Sequence, residues 1–215
     1  YLIFAAYLLV IYRARSRSDL KNPQGLTFDW LWLLPLLQIL WVNLHIYFII
    51  GPVIYVFFLM ERAASRKINR QDLLIGLAIV LANFVNPNFI DGALYPFKVL
   101  NNYGYSIAEN SSLFFLANYF GRWAPQDKLF LVSVFILAGS FILWFWLRGQ
   151  TSRYSRSGLI KTRVFDVLLM VMTIALSFKM QRNIPLYALS LWPVMSENLS
   201  EIFNFLASPA GRQFP

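Results

Sequence analysis

Apolar residues in this chain come in long, nearly unbroken runs rather than in stripes that alternate with polar positions. Tyr1–Tyr12, Trp30–Met60, the run from Asp72 to Val85, Leu129–Leu147, Val164–Phe178 and the stretch from Ile184 towards Ala207 are each too apolar for a solvated helix face. Such runs predict helices buried on all sides or embedded in lipid, and strands of a transmembrane barrel, about ten residues long and alternating, are absent from the pattern.

Trp30–Met60 needs a decision. As one helix it would measure about 46 Å at ~1.5 Å per residue, well beyond the hydrocarbon of a bilayer. Pro35, the Asn43/His45 pair and Gly51-Pro52 interrupt it. Two short helices meeting near Asn43–His45 are expected instead, giving about seven membrane segments in an all-α polytopic bundle. The whole chain, 1–215, reads as one transmembrane domain, the central or C-terminal part of a longer protein, because Tyr1 opens inside an apolar run. No internal repeat or low-complexity tract is visible.

Composition agrees with this reading. Of 215 residues, 58% are hydrophobic and 13% charged, half the charged share of an ordinary soluble domain, about 25%. The mean hydropathy is +0.54. The net charge of +9 does not point to nucleic acid, because the basic residues sit in short loops between apolar runs. Arg13, Arg15, Arg17 and Lys21 fill one loop, Arg62, Arg66, Lys67 and Arg70 a second, and Arg148, Arg153, Arg156, Lys161 and Arg163 a third. These are thirteen of the nineteen Lys and Arg. Basic loops stay on the cytoplasmic side, and one orientation satisfies all three. It places His45, the segment 86–128 and Lys179–Asn183 on the outer side of the cytoplasmic (inner) membrane. Cys is absent and His45 is the only histidine, so no metal site and no cofactor is expected.

The polar groups within apolar surroundings are the candidates for chemistry. Gln38, Trp41 and His45 are spaced to share one helical face, with Asn43 turned away and able to cap the next helix. Asp72 is a candidate cap for the helix that follows it. His45 and Asn43 either line an outer cavity and hold a phosphate or sugar hydroxyl, or bond to neighbouring helices and pack the bundle. The segment 86–128 is rich in aromatics yet punctuated by Asn, Gly and Pro, which predicts short interfacial helices. Its carboxylates are Asp91, Glu109 and Asp127; Asp91 and Asp127 read as solvated loop charges. Lys179 and Arg182 flank the outer end of a span, spaced to clamp a phosphate or to snorkel to headgroups. Asn110-Ser111-Ser112 and Asn198-Leu199-Ser200 match the glycosylation triplet, a pattern common by chance.

Trp41-x-Asn43-x-His45-x-x-Phe48-x-x-Gly51, a basic loop, Asn86-Pro87, Tyr95-Pro96, Glu109 and then Arg182-Asn183-Ile184-Pro185-Leu186 with Pro193 occur in that order. The series resembles bacterial polytopic membrane proteins related to GT-C-type glycosyltransferases, the dolichyl-phosphate-mannose–protein mannosyltransferase-like and Rgt-like enzymes. The resemblance covers roughly Leu33 to Met195. It implies a transferase that takes a sugar from a polyprenyl-phosphate donor to a glycan, lipid or protein acceptor at the outer face. His45 and Asn43 would then line the cavity, Glu109 would lie in its rim, and Arg182, with Lys179 beside it, would meet the phosphate. Members often carry Gly-Gly after the histidine, where this chain has Ile46-Tyr47. The family's catalytic acid lies in an outer loop near the N-terminus, upstream of Tyr1, so the catalytic residue is unknown. A transporter or flippase of a lipid-linked or anionic solute, and a non-catalytic membrane scaffold, are the alternative readings.

Overall fold

A computed structural model describes residues 1–18, 29–99, 110–149 and 163–207. Those residues are helical with no strand among them, and the chain divides into two compact units, Tyr1–Tyr105 and Ser106–Pro215. Glu109, Lys21, Arg153, Arg156 and Lys161 lie outside the described residues; Arg13, Arg15 and Arg17, expected in a loop, sit on the last turns of the first helix, which runs on to Ser18.

The first unit holds α1 (Leu2–Ser18), α2 (Leu33–Leu44), α3 (Ile50–Ala64), α4 (Arg70–Ala82) and α5 (Phe89–Val99). Trp30–Met60 is indeed two helices, separated by an extended His45 (φ −160°, ψ 140°) and a 3-10 turn, Ile46–Ile49. Contacts along the helices fix their directions. The Arg13 guanidinium lies 4.8 Å over the Trp30 ring, and the Tyr7 hydroxyl meets Leu34 and Gln38, so α1 and α2 are antiparallel. Arg62 pairs with the Asp72 carboxylate at 2.7 Å while Tyr55, two turns earlier, donates to the Asp72 carbonyl and lies against Gly76, which makes α3 and α4 antiparallel. Asp29 with Gln71, Gln38 with Asn83, and Asn43 with Val85 run α2 alongside α4 in the same sense. Arg15 and Glu61 pair at 2.8 Å at the foot of α1 and α3. The residues bordering the first two basic loops therefore gather at one end of this unit, and His45 sits at the other.

The second unit holds α6 (Leu113–Tyr119), α7 (Pro125–Gly149), α8 (Val164–Lys179) and α9 (Ile184–Ala207). Gln181–Asp127, Tyr187–Ser133, Asn198–Ser140 and Glu201–Trp144 contacts set α7 and α9 parallel. Arg163–Asn198 and Asn183–Leu176 set α8 against them. Leu113, Phe130, Leu137, Met170, Tyr187 and Val194 form its main apolar cluster. Pro35, Pro52, Pro125 and Pro185 all fall in first turns, where an amide has no intrahelical acceptor to lose.

Polar side chains share the interior with the apolar core, and large apolar side chains also face outward. Gln38, Asp166, Thr173, Ser177, Ser190 and Asn198 are wholly buried, while Leu2, Phe135 and Trp192 are 88%, 76% and 80% exposed on helix surfaces. Two helical stretches, Ile46–Ala64 and Pro125–Leu147, are long and apolar enough to cross a membrane by length and composition; Trp30–Leu44 is apolar but shorter.

Asp72 does not cap α4 from outside. Asn69 is the N-cap, and Asp72 closes a reciprocal capping box from the third helical position while it holds Arg62. A carboxylate there meets both the helix dipole and a cation.

Candidate functional site

The turn at His45 is built from carboxamides. Gln38, fully buried in α2, accepts a hydrogen bond from the Tyr7 hydroxyl at 2.8 Å and donates to the Phe48 carbonyl at 2.9 Å and to Asn83 Oδ1 at 2.6 Å. A single side chain thus ties α1, the 3-10 turn and α4 to α2. Asn43 donates to the Ile39 carbonyl and to the Val85 carbonyl, both at 2.8 Å. It locks the end of α2 to the end of α4 rather than capping the following helix.

His45 takes that capping role. Because α2 stops at Leu44, His45 leaves the face shared by the buried Gln38 and Trp41 and becomes exposed. Its Nδ1 accepts from the Tyr47 amide at 3.1 Å, and its ring stands 4.8 Å from that of Tyr47. The accepting Nδ1 leaves the ring proton on Nε2 in the neutral imidazole. The shared helical face expected from the spacing is lost because the helix ends one residue too soon.

In the second unit the hinge at Lys179–Asn183 has the same form. Met180 is extended (φ −145°, ψ 121°), Gln181–Asn183 make a 3-10 turn, and α9 follows with Pro185 in its first turn. Arg182 is half-buried and donates to Asn110 Oδ1 at 2.6 Å. Lys179 is exposed at the C-terminus of α8, where a cation complements the helix dipole. Gln181 donates to Asp127 at 2.8 Å, and its amide meets the Ser111 carbonyl.

Two carboxylates part company here. Asp127 is buried in the first turn of α7, against Gln181, and is not the solvated loop charge expected of it. Asp91 is solvated, as expected, and accepts from Lys98 at 2.6 Å. That hydrogen bond, with the charge of the same ammonium group, holds its carboxyl below the ordinary value.

No sequence signal marks the cluster at the opposite end of the second unit. Arg163, 4% exposed, donates to Asp166 at 2.8 Å, to Asn198 Oδ1 at 2.5 Å and to Glu197, and lies 5.2 Å over the Trp144 ring. Its Nε is buried without a partner. The Asn198 amide also donates to Ser140 at 2.9 Å. Asn198 is wholly buried, which removes its triplet from consideration as a glycan acceptor.

No family model, curated protein or solved structure matches the chain. Among the described residues no cluster of His, Cys, Asp or Glu could hold a metal ion.

Proposed function

We propose that the chain is a multi-pass, seven-segment bundle of the cytoplasmic membrane, similar to GT-C-type glycosyltransferases. It serves transfer of a sugar from a polyprenyl-phosphate donor to a glycan, lipid or protein acceptor at the outer face. The observation that carries this reading is the division of ends within each unit. In the first, Arg15–Glu61 and Asp29–Gln71 close the end that borders two basic loops, and the His45 turn lies at the other. In the second, Arg163 borders the third basic loop and Arg182 lies at the opposite end. Basic ends facing the cytoplasm satisfy the charge rule. The outer ends then carry non-helical backbone and polar side chains, the arrangement from which membrane proteins build polar sites. The apolar helix surfaces supply the lipid contact. The candidate binding groups are His45 and Asn43 in the first unit and, separately, Arg182 and Lys179 in the second, with Glu109 assigned on the sequence resemblance alone.

The test is replacement of Arg182 and of His45 by Ala in the chromosomal gene, with membrane abundance of the protein verified. Loss of a surface glycan, with its lipid-linked donor accumulating in the outer leaflet, supports transfer. Accumulation in the inner leaflet supports a flippase instead, and unchanged glycans support a scaffold; either result rejects the transferase reading.

A further inference from the structure

Helix α6 ends in a left-handed turn at Gly121 (φ 64°), a conformation that glycine adopts without the strain a side chain brings. The turn folds Arg122 and Trp123 back alongside the helix, and Trp123 packs edge-on against Phe114 with ring centroids 5.7 Å apart. The result is an open pocket of about 380 Å³ lined by Phe114, Ala117, Asn118, Gly121, Arg122 and Trp123. That volume is at the small end of small-molecule pockets, which span about 300–1,000 Å³. Phe114 is itself fixed by stacking on Phe178, so the wall has a rigid backing.

Three features of the lining select a ligand. Among the described residues its lining holds one cation and no anion. The Arg122 guanidinium and the Asn118 carboxamide make no hydrogen bond or ion pair to the described residues, unlike Arg15, Arg62, Arg163 and Arg182, each held by a partner. Beside the pocket Phe115, Tyr119 and Phe120 are 57%, 73% and 62% exposed, an aromatic girdle of the kind found at headgroup depth. A planar guanidinium matches a phosphate in a two-pronged way, a carboxamide matches a hydroxyl, and an aromatic wall covers a carbon skeleton.

We infer that this pocket binds a small phosphorylated polyol, of the size of a glycerol phosphate headgroup, with Arg122 on the phosphate and Asn118 on a hydroxyl. The same chemistry reaches the pocket from an anionic phospholipid or from a free polyol phosphate. The inference uses the membrane placement proposed above only to say where the lipid would come from; the pocket itself is testable without it.

The experiment is native mass spectrometry of the detergent-solubilised chain with phosphatidylglycerol, phosphatidylcholine or glycerol 1-phosphate added. One equivalent of phosphatidylglycerol is expected to bind in preference to phosphatidylcholine. Affinity should fall about tenfold in Arg122→Ala, the loss expected for one charge-assisted contact, and less in Arg122→Lys. Since neither Arg122 nor Asn118 has a side-chain partner among the described residues, Arg122→Ala and Asn118→Ala should melt like the parent, which separates lost binding from lost folding. Glycerol 1-phosphate binding with the same dependence on Arg122 assigns recognition to the headgroup alone. Binding of phosphatidylglycerol without it assigns the intact lipid. Equal binding of both lipids, or binding that survives Arg122→Ala unchanged, overturns the site.

Discussion

Gly51→Ala tests whether the Gln38 carboxamide holds the first unit together. A methyl at Gly51 would land on Gln38 Oε1 and within 3.1–3.2 Å of the Tyr7 ring and hydroxyl. Gln38 is fully enclosed, so its side chain cannot swing into solvent, and it gives up at least the Tyr7 bond. A buried polar group left unpaired costs about 1–3 kcal/mol, although interhelical bonds in membrane proteins average nearer ~0.6 kcal/mol. Overpacking adds about 1–3 kcal/mol, and the better helix propensity of Ala returns under ~1 kcal/mol. The net loss is about 2 kcal/mol, or roughly 4–8 °C in melting temperature for a chain of this size. The assay is thermal unfolding in detergent, with two comparisons. Gly139→Ala, whose new methyl meets nothing within 4 Å, should be neutral or stabilising by up to ~1 kcal/mol. In a Gln38→Ala background the Gly51→Ala penalty should shrink by at least ~1 kcal/mol, because the obstructing carboxamide is gone. Equal penalties in both backgrounds would refute the argument.

Removing Arg163 should do more damage. Arg163→Met takes the guanidinium from the fully buried Asp166, with an expected loss of about 3–5 kcal/mol; adding Asp166→Leu should recover most of it, and a single-variant loss below ~1 kcal/mol in the same unfolding assay would contradict the pairing. The Asp91–Lys98 pair is exposed on both sides, so Lys98→Ala should leave stability unchanged within error. It should nonetheless raise the Asp91 titration midpoint towards the ordinary carboxylate value, measured by carboxyl NMR, because the hydrogen bond and charge that lower it are gone; the small stability the depressed value lends is present above the unfolded pKa and fades as pH falls through the folded one. High salt should shrink the shift; a midpoint unmoved by Lys98→Ala would show that the ammonium is not its cause.

Helix existence was legible because apolar runs are local signals, whereas Pro35, read as a break in one of them, sits in the first turn of α2. The break at His45 followed from bilayer length together with the charge of the flanking loops, and the hinge after Lys179 from its short polar run. What escaped the sequence was partnership across distance. Nothing near Gln38 announces Asn83, and nothing near Arg163 announces Glu197 or Asn198, since these pairs form only when helices pack. His45 was misplaced for the opposite reason, because a helical spacing was carried one residue past the real end of α2. The recurrence of helix, extended residue, 3-10 turn and proline-started helix in both units was also invisible, because it resides in backbone angles and not in shared side chains.

Sidedness is the claim beneath the rest, and the absence of Cys from the chain makes it directly measurable. Single substitutions Ile68→Cys, between α3 and α4, and Asn88→Cys and Lys128→Cys, at the ends away from the basic loops, would be probed with a membrane-impermeant maleimide on intact spheroplasts. The account predicts labelling of the Asn88→Cys and Lys128→Cys proteins from outside, and of the Ile68→Cys protein only after permeabilisation. Labelling of the Ile68→Cys protein in intact spheroplasts, with the other two protected, would reverse the topology and contradict the account.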